Sequence, residues 1–344
     1  TPSEQAFTLE TALRIMGLTR NFARLVLFCA HGSTSENNPF EAALDCGACG
    51  GNAGSPNARV LALMANKPLV REQLAKNGIA IPQDTYFIAG QHATTTDTFE
   101  LFDLEDLPPT HRKDLLQLAR DLEEAGSRNS RERCARFPGV DVSLPAGKGA
   151  RHVRWRSGDW SQVRPEWGLS RNAAFIIGRR ELTRAVDLEG RVFLNSYDYR
   201  EDPAGRLLEV VMTGPQTVGQ WINMEHYFST VDPEHYGSGS KIYHNVVGRL
   251  GIMAGPQSDL RTGLPWQTVM AGAGPYHEPM RLLTLIEAPR ERIDQVVSGH
   301  GLLQRLYDNE WIRLIAIEPE KGTSYRYAPK RGWMEIPQGK GAGL

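Results

Sequence analysis

Ala23-Arg-Leu-Val-Leu-Phe-Cys-Ala30 runs without a break into His31-Gly-Ser-Thr-Ser-Glu-Asn-Asn-Pro-Phe-Glu-Ala-Ala-Leu-Asp-Cys46-Gly-Ala-Cys49-Gly-Gly51. The first part is short, apolar and bounded by polar chain, so residues 22–30 are expected to form a buried strand. It ends at His31-Gly32. Residues 32–56 then hold seven Gly or Pro residues and read as one long loop. Loops of that length inside compact regions usually serve a function.

Working outward, residues 3–17 place Ala6, Leu9, Ala12, Leu13 and Met16 at helical spacing, with Ser3 as N-cap and Gly17 as stop. Downstream, one helix is expected from Asn57 to Ala65 and another from Pro68 to about Gly78. Strands follow at Thr85–Ala89 and Thr98–Phe102, separated by a polar loop, Gln91–Asp97. Alternating strands and helices argue for an α/β layer with parallel character. In such sheets ligands collect beyond the carboxyl ends of strands, which is where His31 stands.

Residues 108–136 read as a charged amphipathic helix with Leu115, Leu118, Leu122 and Ala125 on one side. Residues 137–172 look irregular, and a soft boundary falls near 137–150. Ala173–Gly178 and Arg191–Tyr197 are expected strands, and Gly219–Thr230 a helix. In the last third, strand Arg281–Glu287, helices Pro289–Val297 and Leu302–Asp308, and strand Trp311–Ile317 make a β-α-β unit. The expected division is 1–136 (α/β), 137–280 (Trp/Gly/Pro-rich α/β), 281–327 (a smaller α+β lobe) and 328–344, a glycine-rich tail that should fray.

The 344 residues are 40% hydrophobic and 23% charged, ordinary for a globular protein. The formal charge of −1 gives no global attraction to nucleic acid, so none is expected as a partner. The local basic clusters, Arg128–Arg133 and Lys148–Arg156, read as solvated surface. No run of 18 apolar residues suggests a membrane span. Four cysteines, three of them within residues 29–49, fit a reducing compartment better than a disulfide scaffold. Thr1-Pro-Ser-Glu-Gln lacks signal-peptide features and an initiator Met, which suggests a fragment or a processed chain.

Thiolate and imidazole are the ligands zinc prefers, and four readings of residues 29–49 compete. One is a closed structural zinc site of Cys29, His31, Cys46 and Cys49. Another is a redox pair at Cys46 and Cys49, weakened by the Gly50-Gly51 that follows where a helix would be needed. The third is a catalytic zinc site using His31 and one loop cysteine with ligands from elsewhere. The fourth is buried thiols beside a hydrogen-bonded histidine. Asp45 could orient a ligand or serve as a turn carboxylate. His92 could stand behind a metal ligand or at the surface, with surface the favoured reading, and His226, His235 and His244 read as satisfied polar residues. No dinucleotide fingerprint, phosphate-binding glycine loop or serine-hydrolase elbow occurs.

The loop string His31-Gly-Ser-Thr-Ser-Glu-Asn-Asn-Pro…Ala-Leu-Asp-Cys46-Gly-Ala-Cys-Gly-Gly closely resembles the DabA family, the large carbonic-anhydrase-like subunit of bacterial inorganic-carbon accumulation complexes. The likeness extends along nearly the whole chain: Gly17-Leu-Thr-Arg-Asn-Phe-Ala, Asn57-Ala-Arg-Val-Leu, Thr94-Thr-Thr-Asp, Asp159-Trp-Ser-Gln-Val-Arg-Pro-Glu-Trp-Gly, Trp221-Ile-Asn-Met, His244-Asn-Val-Val-Gly and Gly263-Leu-Pro-Trp-Gln. The resemblance implies a β-carbonic-anhydrase-like mixed sheet flanked by helices. It implies Zn²⁺ held by His31 and Cys46, with a Cys and an Asp from an upstream Cys-x-Asp-x-Arg segment. No such segment occurs in this chain, so the resemblance is to a C-terminal portion holding half of a zinc site, expected to be inactive alone.

By the same resemblance, the complete subunit would convert CO₂ to bicarbonate, coupled to a membrane-embedded cation-antiporter-like partner of the DabB type. Its place would be peripheral, on the cytoplasmic face of the bacterial inner membrane, with the Trp-rich 155–167 region as a candidate docking surface. No further catalytic residue is assigned. Two rivals are a non-catalytic zinc-binding scaffold that docks a transporter, and a thiol oxidoreductase using Cys46 and Cys49.

Overall fold

Strand β1 (Leu25–Gly32) forms where the apolar run places it and carries His31 next to its end. The computed structural model describes residues 1–34, 45–46, 49–137, 139–141, 143–158, 168–240, 245–247, 250–253, 255, 261–319 and 321–337. The architecture is mixed α/β, as expected. Two compact units emerge: residues 1–11, 18–170 and 232–276 form one, and 12–17, 171–231 and 277–344 the other. The first helix, α1 (Pro2–Met16), contributes residues to both. Both units take chain from either side of the expected 137–150 boundary.

The first unit holds a three-stranded sheet in the order β1-β2-β3. β1 runs parallel to β2 (Tyr86–Ala93), with His31 opposite His92, and β2 pairs antiparallel with β3 (Thr98–Phe102). The crossover from β1 to β2 uses α2 (Ser55–Ala65) and α3 (Pro68–Lys76), each with proline in its first turn, where its missing N–H leaves nothing unbonded. Asn66 ends α2 and grips β2: its Nδ2 donates to Phe87 O at 2.8 Å and its Oδ1 accepts from Phe87 N at 3.0 Å.

β2 runs four residues further than its apolar run, through Gln91 and His92, which the sequence had placed in a loop. As the central strand it is bonded on both edges, so backbone pairing carries the strand through polar side chains. Helix α4 (Arg112–Cys134) follows, and then α5 (Ala146–Ser157), inside a region that read as irregular. Gly147 and Gly149 are poor helix formers and conceal it. Gly149 is needed there, because a Cβ would lie 2.8 Å from the Arg131 Cα on α4. Cys134, Phe137 and Val153 form the core between the two helices.

The second unit contains β4 (Ala174–Gly178), β5 (Val192–Ser196), helices α6 (Arg206–Thr213) and α7 (Pro215–Val231), β6 (Leu282–Glu287), α8 (Arg290–Gly299), α9 (Gly301–Asp308), β7 (Ile312–Ile317), β8 (Ser324–Ala328) and β9 (Gly332–Glu335). Its six-stranded sheet has the order β9-β8-β7-β6-β4-β5. The strands from β5 to β7 are parallel, and β8 and β9 are antiparallel additions. Every residue of β4 is buried, the pattern of a parallel strand covered on both faces. The β-α-β unit forms as read, but it is not a lobe of its own, because β6 pairs directly with β4. The chain beyond Tyr327 is ordered through β9, where the Trp333 indole donates to Asp294 at 2.9 Å. Residues 338–344 of the expected tail lie outside the described residues. Among the described residues no helix is long and apolar enough to cross a membrane.

Candidate metal centre

The loop leaves β1 at His31 and is stitched back to the strand end at two points. The Gly54 N–H donates to His31 O at 2.9 Å, closing the far end of the loop onto β1. A Cβ at Gly54 would lie 3.0 Å from the Ala30 Cβ, so a larger residue would push the loop away. Nearer the start, Asp45 Oδ1 accepts from Ser33 N at 2.6 Å and from Ser33 Oγ at 3.2 Å. The residue before Cys46 is thereby tied to a residue two places after His31.

Cys46 itself sits in a tight turn. Its N–H donates to Asn52 O at 3.1 Å, and its carbonyl accepts from Cys49 N at 2.9 Å and Gly51 N at 3.1 Å. Gly50 and Gly51 have φ of +67° and +78°, the left-handed region that glycine enters freely. The Gly-Gly that weakens the redox reading is thus what lets the chain turn back under Cys46.

Burial lowers the pKa of His31; the nearby Asp45 charge opposes this and His92 adds to it. The neutral imidazole is the form that ligates a metal. Burial pushes the Cys29 thiol the other way, up from its ordinary value, with a backbone contact to His92 opposing, so Cys29 favours the protonated form that does not ligate. Cys49 Sγ accepts from Asn57 Nδ2 at 3.2 Å. Cys134 is buried between α4 and α5. None of the four cysteines, all among the described residues, forms a disulfide. Among the described residues no three His, Cys, Asp or Glu side chains are arranged to hold a metal ion, so the closed Cys29–His31–Cys46–Cys49 site is not formed. His31 and Cys46 remain as a pair whose donor types, an unprotonated nitrogen and a thiol, suit zinc as half of a four-donor set.

His92 is partly buried rather than fully exposed. Its ring stacks on Phe99 at 4.7 Å, and its Nε2 meets Asp97 Oδ1 at 3.1 Å. Asp97, with no exposed side-chain surface, also accepts from Asn129 Nδ2 at 2.8 Å, Ser130 Oγ at 2.9 Å and Arg133 Nη2 at 2.9 Å. Burial alone would raise its pKa, but these bonds outweigh it and hold the carboxyl below its ordinary value. The sequence reading gave Asp97 no role; of the basic cluster Arg128–Arg133, Arg128 is exposed as expected while Arg133 is drawn into this network. One signal was present: Thr94-Thr-Thr-Asp is among the strings carrying the family resemblance. In the other basic cluster, Arg156 is buried, donating to His152 at 2.9 Å and lying over the Phe137 ring.

Of the remaining histidines, His235 pairs with Asp232 at 2.8 Å, and His226 lies against His277, with ring centres 5.2 Å apart. His244 and most of the Trp-rich docking candidate, from Asp159 to Trp167, lie outside the described residues.

A family model described as "Probable inorganic carbon transporter subunit DabA" matches residues 1–312. A protein of that name from Thiobacillus denitrificans is 53% identical over 341 residues, 98% of this chain and 33% of that relative. One from Legionella pneumophila is 49% identical over 334 residues, covering 97% of this chain and 43% of that relative. One from Halothiobacillus neapolitanus is 51% identical over 329 residues, 94% of this chain and 31% of that relative. The chain thus spans less than half the length of these relatives. No solved structure matches it.

Proposed function

This chain belongs to the DabA family, and on that premise we propose that it forms part of a zinc-dependent inorganic carbon transporter subunit, contributing His31 and Cys46 to a four-donor centre. The observation that carries the reading is the double stitching of the loop, which holds both donors at the carboxyl end of a parallel strand. The remaining donors would come from another segment of the full-length polypeptide. Among the described residues β1 stands at the edge of its sheet, and such a segment would add beside it.

When bound, zinc would supply Lewis-acid activation of water for conversion of CO₂ to bicarbonate. The chain's own part would be to present a neutral imidazole and a thiol. The relatives' names describe a transporter subunit, which supports a complex with a membrane-embedded, cation-antiporter-like partner. We place the subunit peripherally, on the cytoplasmic face of the inner membrane. The scaffold and thiol-oxidoreductase readings gain no specific observation in their favour.

The test is metal content. A full-length family polypeptide carrying this region should hold about one zinc, lost in His31→Ala and in Cys46→Ala, whereas this chain alone should hold it weakly. Tight stoichiometric binding by this chain alone, dependent on Cys29 and Cys49, would overturn the half-site.

A further inference from the structure

Neither the hydrogen bonds at the strand end nor the basic cluster on α4 is accounted for by ligation alone. The turn between β2 and β3 bonds to the chain leaving His31 at several points. Thr94 N donates to Gly32 O at 2.8 Å, and Thr94 Oγ1 to the same oxygen at 3.2 Å. Thr95 Oγ1 accepts from Thr34 N at 2.9 Å and donates to Thr34 O in a short bond. Residues 32 and 34 therefore hang on this turn, and Ser33 between them holds Asp45.

The turn is in turn fixed from α4. Arg133 donates to Thr94 O at 2.8 Å and Thr95 O at 3.0 Å, and the same guanidinium pairs with Asp97. Asp97 has a φ of +55°, unusual for a residue with a side chain, and its carboxylate, saturated by four donors, offsets that strain. Gly126 on α4 makes the approach possible, since a Cβ there would lie 2.2 Å from Asp97 O. Arg133, held by Asp97, thus bonds to Thr95, Thr95 bonds to Thr34, and the adjoining Ser33 bonds to Asp45, the residue before Cys46.

We propose that Asp97, Arg133 and Thr95 are positioning residues for the zinc centre. They hold the turn that fixes the chain after His31, and through Ser33 and Asp45 they set where Cys46 stands. The inference rests on the zinc reading. Residues that orient metal ligands from behind typically alter affinity by about 10- to 100-fold when replaced. Ordinary structural residues would change stability without changing the geometry at the metal.

The experiment uses the full-length polypeptide and its Asp97→Asn, Thr95→Val and Thr95→Ser forms. Zinc affinity is measured by chelator competition, the visible absorption of the Co²⁺-loaded protein reports ligand geometry, and metal-free melting reports folding. Asp97→Asn and Thr95→Val should remain folded, bind zinc about 10- to 100-fold more weakly, and alter the Co²⁺ bands. Thr95→Ser, which keeps the hydroxyl, should restore both. Folded Thr95→Val and Asp97→Asn with wild-type affinity and spectrum would overturn the positioning role while leaving the zinc reading intact. A wild type that takes up no metal would overturn the zinc reading and the positioning role with it.

Discussion

Two pairs of histidines, one in each unit, look alike in composition and differ in what they offer. His226 and His277 are nearly or fully buried, with their rings 5.2 Å apart. Yet their hydrogen bonds fix unlike tautomers. His226 Nδ1 must donate to Ile222 O at 2.7 Å, which leaves its Nε2 bare. His277 Nδ1 must accept from Arg171 N at 2.9 Å, which puts the ring hydrogen on its Nε2. One nitrogen of the pair offers a lone pair and the other a hydrogen, so the pair is poorly suited to a metal. His31 and His92 face each other across a parallel ladder at the mouth of a loop, and His92 has its own carboxylate partner. Closeness of two imidazoles does not by itself make a metal site.

The largest effect expected on the first unit comes from Gly126→Ala. A Cβ 2.2 Å from a backbone oxygen cannot be absorbed by a side-chain movement, and the loss should be about 3 kcal/mol or more. Denaturant unfolding checks this, and a loss under about 0.5 kcal/mol would mean that α4 does not hold the Asp97 turn as described. Arg133→Met should come next. It leaves a carboxylate with no exposed surface without its cation, at a cost of about 2 to 3 kcal/mol. An equal loss in an Asp97→Asn background would show that the two groups do not act together.

The second pair predicts an acid sensitivity. Burial above all lowers His226 to about 4 and His277 to about 3, the latter helped by His226 and Arg191. A depressed histidine binds its proton more readily when unfolded. Its neutral, folded form is therefore fully favoured above the ordinary value of 6.5 and loses ground as pH falls below it. Between about pH 6 and pH 4 each should cost up to about 1.4 kcal/mol per pH unit. Urea midpoints across that window should fall, and His277→Gln should flatten the fall. An unchanged slope would remove the pair as its cause.

The same contrast explains what could be read in advance. β4 announces itself because a strand buried on both faces must be a run of apolar residues; β1 reads the same way, yet only Phe28 and Gly32 of it are buried and Cys29 is exposed, so its expected burial is not met. α5 does not announce itself, because Gly149, which allows it to lie against Arg131, and Gly147 both weaken a helical signal. The last four residues of β2 were hidden in a polar string, since their strand geometry comes from partners on both sides. His31 and Cys46 stood out as soft donors at the end of an apolar run. Asp97 and Arg133 did not, being 36 residues apart, one in a threonine-rich turn and the other in a charged helix. Their partnership is made by the meeting of α4 with the β2–β3 turn, which no local pattern encodes.

Cys49→Ser should have the smallest effect, and it bears directly on which part of the loop is chemical. The Cys49 thiol accepts one bond, from Asn57, and the turn around Cys46 is held by backbone groups and by Gly50 and Gly51. Serine can accept the same bond, so stability should change by under about 0.5 kcal/mol and zinc affinity in the full-length polypeptide should be unaltered. Cys46→Ser in the same assay should lose the metal. Equal losses from both substitutions would restore Cys49 to the ligand set and return the loop to a closed zinc site. Loss of a reversible disulfide on replacing Cys49, with zinc unaffected by either change, would favour thiol chemistry instead. On the zinc proposal a large difference between two cysteines three residues apart is expected, because Cys46 directly follows Asp45, which Ser33 ties to the end of β1.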